Sequence, residues 1–182
     1  MDRSGATASP GEAFQIPANY DFSKSSELNY CSENAEFVGK YRDIRSQLDY
    51  SYHKYYNVDR QLLHDKLIDR FLRTKVHDRE ANMECEVPLE NWIVFTAGPM
   101  GAGKGHTMQW LAKEELFPVD AFVNVDPDLI RHLLPETSRY NEIDNNSTGY
   151  FTQKEVNYIS EVSQSAIFIS HYFPIFNCHH IV

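Results

Sequence analysis

Polar positions dominate the start of the chain, and periodic apolar ones appear only later. Residues 1–34 are rich in Ser, Asn, Gly and Pro, which predicts a mobile polar tail with some late contacts. From Glu36 to Arg79 apolar residues recur three and four apart: Phe37, Tyr41, Ile44 and Leu48, then Leu63, Leu67, Phe71 and Leu72. That spacing predicts helix, so residues 35–90 read as a helical extension. Tyr50, Tyr52, Tyr55 and Tyr56 crowd the junction of the two runs. Their residue type favours helix–helix packing with hydroxyls at the rim over a stacking surface.

At Asn91 the pattern changes. Residues 92–97, Trp-Ile-Val-Phe-Thr-Ala, form an unbroken apolar and β-branched run, as expected of a strand buried on both faces. After a glycine cluster, Lys104 to Leu116 has helical spacing at Met108, Leu111, Ala112 and Leu116, and Phe117-Pro118 ends it. Residues 121–125 predict a second strand, and 127–134 a short helix stopped before Pro135. A polar loop over 136–149 then leads to a helix over about 153–166 with the apolar face Val156, Ile159, Ser163, Ala166 and Ile167. Strand–helix–strand–helix alternation predicts an α/β fold for residues 91–182, a layered parallel sheet with flanking helices.

Composition narrows the function classes. The 182 residues are enough for one domain and an extension. The net charge of −9 argues against a nucleic-acid surface, which needs clustered Lys and Arg. It leaves room for a nucleotide site, where backbone N–H groups and one Lys hold the anion. Cys31, Cys85 and Cys178 are far apart and form no CxxC, so reduced thiols are expected. The first twelve residues lack the apolar core of a signal peptide, and residues 166–176 are too short and interrupted to span a bilayer. A cytoplasmic protein without a membrane partner is the expectation. Asn145-Asn146-Ser147-Thr148 holds overlapping glycosylation sequons that read as loop residues.

The candidate chemistry lies in Gly98-Pro99-Met100-Gly101-Ala102-Gly103-Lys104-Gly105-His106-Thr107, between the expected strand and helix. Glycines let the backbone curl until several N–H groups face one anion. A helix starting near Lys104 adds its positive end, and the Lys104 ammonium would reach the β- and γ-phosphates. Gly98, Gly101, Ala102, Gly103, Lys104, Gly105, His106 and Thr107 are thus the candidate nucleotide-binding residues. Gly105 stands where such loops usually carry the Ser or Thr that ligates Mg²⁺, and Thr107 is the nearest hydroxyl that could stand in. Asp126 follows the second expected strand, where ligands of open α/β sheets bind, and would orient an acceptor hydroxyl and take its proton. Asp126-Pro127 is equally an N-cap followed by Pro at the first helical position, with Asp128 a first-turn acid.

These segments together, with Leu-Leu-Pro-Glu at 133–136 and Thr148-Gly149-Tyr150, resemble the zeta-toxin-like P-loop kinases over about residues 91–166. The resemblance implies a P-loop kinase fold, ATP with Mg²⁺, and transfer of the γ-phosphate to a small-molecule hydroxyl, a UDP-amino sugar in some members. It assigns Lys104 to the phosphates and Asp126 to the acceptor, with Asp128 and Glu155 as candidate substrate contacts. Thr152-x-x-Glu155 also reads as a capping box at a helix start.

Only two strands are clearly written, and no Lys or Arg follows Lys154. Such a core needs about five strands and a basic lid, so the chain reads as a kinase domain truncated at its C-terminus. Arg131 and Arg139, the only arginines after the loop, read as solvated charges. Cys178-His179-His180 lacks a fourth ligand at a plausible spacing for a metal site. Two alternatives stay open: a nucleotide-binding but inactive truncated kinase, and an interaction protein that meets a partner through the helices of residues 36–79.

Overall fold

In the computed structural model a 25-residue helix, α7 (Thr148–Tyr172), organises the fold. The structure describes residues 14–72, 76–78, 83–85, 94, 96–99, 101–117, 119 and 122–172. Along α7, Thr152, Glu155, Val156, Ile159, Val162, Ser163 and Ala166 are all buried. Their spacing of three and four makes one continuous face. Helices α1 (Ser26–Tyr30), α2 (Arg42–Arg45), α3 (Val58–Leu72), α5 (Pro127–Leu133) and α6 (Thr137–Asp144) pack on α7. The core draws Tyr30, Tyr56, Leu63, Leu67, Ile68 and Phe71 from the first half of the chain. From the second half come Ile130, Leu134, Val156, Ile159 and Val162.

Local chemistry explains the helix ends. Ser25 caps α1, its hydroxyl accepting from the Leu28 N–H at 3.4 Å. Asn57 Oδ1 accepts from the Arg60 N–H at 2.9 Å and starts α3. Asp126 caps α5, with Pro127 as its first residue. Helix α4 (Lys104–Lys113) has Gly103 as its N-cap and no buried residue.

The parallel sheet expected from the sequence is not found. The strands among the described residues are β1 (Val76–Asp78) and β2 (Met83–Cys85), paired antiparallel with Val76 opposite Cys85. Within the first expected strand, Val94 and residues 96–97 are irregular, and Trp92, Ile93 and Phe95 lie outside the described residues. Residues 122–125 of the second carry no ladder. A strand exists only where a neighbour takes up its N–H and C=O groups, and no such neighbour occurs among the described residues. Val125 packs instead against the helical core.

Further expectations change. Residues 136–149, read as a polar loop, hold helix α6 and the start of α7. Helix does not run through residues 36–79: turns fill residues 46–53, where Asp49 Oδ1 accepts from the backbone and hydroxyl of Ser51. Residues 14–34, read as part of a polar tail, lie along the core, with the Tyr20 and Tyr140 hydroxyls 2.8 Å apart. Residues 1–13 lie outside the described residues. Thr152 is not a cap, because α7 begins at Thr148 and the Thr152 hydroxyl donates to the Thr148 carbonyl at 2.9 Å. The tyrosine cluster packs, but from turns rather than between helices: Tyr50 stacks on Tyr55, Tyr52 is exposed, and the Tyr56 hydroxyl is buried instead of lying at the rim. Cys178-His179-His180 lies outside the described residues. Among the described residues no helix is long and apolar enough to cross a membrane.

Candidate functional site

The glycine-rich loop turns at Gly101 (φ +76°) and Gly103 (φ +78°), both in the left-handed region that favours glycine. Gly103 is the N-cap of α4, and no side chain caps that end. The first bond back into the loop is from Thr107 N–H to the Gly103 carbonyl at 2.9 Å. The N–H groups of Lys104, Gly105 and His106 therefore have no acceptor among the described residues, as helix geometry requires of a first turn. The Lys104 ammonium folds back over the loop and donates to the carbonyls of Gly98 at 2.8 Å and Pro99 at 3.0 Å. No carboxylate among the described residues pairs with it. A cation held by neutral oxygens beside unpaired N–H groups suits an anion, so the residues present fit a nucleotide phosphate.

Magnesium fits less directly. The Thr107 hydroxyl donates to the Gly103 carbonyl at 3.1 Å. No group of three or more His, Cys, Asp or Glu side chains able to hold a metal occurs among the described residues.

Asp126 Oδ1 accepts from the Asp128 N–H at 2.9 Å, and Oδ2 has no partner among the described residues. Asp128 pairs with Arg131. Arg131 is not a free surface charge: its Nε donates to the Thr152 hydroxyl at 3.0 Å and its Nη2 to Gln153 Oε1 at 2.9 Å. Arg139, read as a solvated charge in a loop, lies on α6 and pairs with Glu142 at the surface. No hydrogen bond or ion pair links Lys104 to Asp126, Asp128 or Glu155.

Glu155 sits in a buried ionic cage. Its carboxylate accepts from Arg60 Nε at 2.5 Å and Nη2 at 3.0 Å, and from His64 Nε2 at 2.7 Å. Arg60 also grips Glu136, Nη1 to Oε1 at 3.0 Å and Nη2 to Oε2 at 2.9 Å, and the Tyr30 hydroxyl donates to Glu136 Oε1. The side chains of Arg60, His64, Glu136 and Glu155 have no exposed surface. Burial disfavours the Glu155 charge, but Arg60 and His64 outweigh it and hold the carboxyl below the usual range. Burial likewise opposes the Arg60 charge, yet Glu155 and Glu136 raise its pKa further. For His64 burial wins over Glu155 and lowers the pKa.

The sequence reading missed Arg60 and Glu136. The available signal was a charged residue inside an apolar stripe, Arg60 ahead of Leu63, Leu67 and Phe71, and Glu155 among Val156, Ile159 and Val162.

The family description Zeta toxin matches residues 73–168, more than half of the chain, and the chain belongs to the Zeta toxin family. The match starts after α3 and leaves α1–α3 outside it. No curated protein and no solved structure matches the chain. Membership implies kinase-like nucleotide binding.

Proposed function

We propose that this member of the Zeta toxin family binds ATP through Gly98, Gly101, Ala102, Gly103, Lys104, Gly105, His106 and Thr107 and transfers the γ-phosphate to a small-molecule hydroxyl. The observation that carries the reading is the Lys104 ammonium lying across a loop whose turns are glycines with positive φ. Phosphate oxygens would replace the Gly98 and Pro99 carbonyls as its acceptors, and the N–H groups of Lys104, Gly105 and His106, without acceptors among the described residues, would add three donors. Mg²⁺ accompanying ATP supplies charge neutralisation at the phosphates, and no side chain is assigned to it.

Asp126 is the residue assigned to the acceptor. Its Oδ2 is available while Oδ1 holds the α5 cap. In transfer the acceptor oxygen bonds to the γ-phosphorus, its proton passes to Asp126, and the bond to the ADP oxygen breaks. Asp128, largely exposed, borders that side of the site.

Titration of ATP against the parent and Lys104→Ala tests the phosphate site. A lost charge-assisted contact is worth about 1.5–3 kcal/mol, so roughly ten- to hundredfold weaker binding is expected. Equal affinity would overturn the reading. ATP-dependent labelling of UDP-amino sugars then separates a kinase from a nucleotide binder without turnover.

A further inference from the structure

We infer that Arg60, which precedes the family match, is the positioning residue that fixes α5 and the Asp126 carboxylate it carries. The catalytic consequence rests on the reading of Asp126 given above; the positioning does not.

The guanidinium is fully caged. Its nitrogens bind Glu136 and Glu155, and its Cζ lies 3.9 Å from the Tyr30 ring centroid and 5.0 Å from that of Phe14. The planar fork therefore dictates where both carboxylates sit, and each carboxylate is tied to α5. Glu136 is followed by Thr137, whose hydroxyl donates to the Arg131 carbonyl at 2.5 Å and whose N–H donates to the Leu134 carbonyl at 3.2 Å. That fastens the C-terminal end of α5. Glu155 lies within one turn of Thr152 and Gln153, which hold the Arg131 side chain. That fastens its flank.

Asp126 caps the opposite end of the same seven-residue helix. At about 1.5 Å per residue α5 is a rod of roughly 10 Å. A tilt of about 6° about its anchored end displaces the other by about 1 Å, and a misplacement of about 1 Å is enough to cost on the order of 10² in rate. Ile130 and Leu134 are buried and keep α5 on the core without Arg60. Loss of the cage should therefore loosen the orientation of α5 rather than detach it.

The test is amide hydrogen exchange on the full chain without nucleotide. The reporters are the Asp128 N–H, which is bonded to Asp126 Oδ1, and the Ile130 N–H, which is bonded to the Asp126 carbonyl. The references are amides of Ile159 and Val162 in α7. Arg60→Lys keeps the charge and loses the fork. The triple variant Arg60→Met, Glu136→Met, Glu155→Met is an apolar replacement of similar volume, and such swaps are tolerated in cores. Both variants should exchange at Asp128 and Ile130 about tenfold faster or more, with the references unchanged. Parental protection at Asp128 and Ile130 would overturn the inference. So would protection lost evenly across α3, α5 and α7, which would make Arg60 a general core group. Failure of the Lys104 titration would leave this readout untouched, so the two claims fall separately.

Discussion

Removing the cation of the buried cage should cost far more than removing one of its anions. With His64 neutral, the cage holds Arg60 against Glu136 and Glu155, one positive charge and two negative. Arg60→Met leaves both carboxylates buried and unpaired. Breaking one buried pair costs about 3–5 kcal/mol, so two approach or exceed the roughly 5–15 kcal/mol stability of a typical domain. Glu155→Gln leaves Arg60 balanced by Glu136, and the amide oxygen still accepts one hydrogen bond. Its cost is the charge-assisted part of the lost contacts, about 1.5–3 kcal/mol, reduced by relief of the excess negative charge. Urea unfolding at neutral pH reads both, with an unchanged slope showing that the folded state is still compact. Arg60→Met should be largely unfolded and Glu155→Gln cooperative with a lower midpoint. Equal losses, or a larger loss for Glu155→Gln, would refute this charge count.

What the sequence made legible is local. Helix α4 starts at Lys104 and α5 at Pro127 because glycine φ, an Asp cap and Pro at the first helical position act within a few residues. The stripes Leu63, Leu67, Phe71 and Val156, Ile159, Ala166 are buried because the helical period puts them on one face. What failed is non-local. An apolar β-branched run states a capacity to pair without saying whether a partner strand is present, and residues 122–125 found none among those described. Arg60 meets Glu136 and Glu155 across 76 and 95 positions, separations that no periodicity encodes. Residues 14–34 were misjudged by their polar average, although Phe14, Tyr20, Phe22 and Tyr30 are the anchors that hold them to the core.

Asp126→Asn should melt like the parent, since Asn caps as well as Asp, while losing most ATP-dependent phosphorylation of an acceptor; a fully active Asn variant leaves capping as its whole role. Within the buried cage the pH dependence is carried by His64 and Glu155. His64 Nε2 faces Glu155, so its neutral form carries the proton on Nε2, and Nδ1 is buried without a partner among the described residues. Its folded pKa lies below the unfolded value of about 6.5. As pH falls through about 6.5 the unfolded chain therefore takes up the proton first, and stability declines until the folded pKa is reached. The depressed Glu155 adds stability above its unfolded pKa of about 4.3 that is lost further into acid. Urea midpoints followed from neutral pH downward should fall in two stages. His64→Gln, which keeps an N–H for Glu155, should flatten the first stage alone, and the difference between the two curves removes the other histidines from the comparison. A parent that gains stability relative to His64→Gln between neutral pH and the first stage would mean that His64 is protonated inside the fold. The cage would then hold two cations against two anions, and the asymmetry between Arg60→Met and Glu155→Gln would shrink with it.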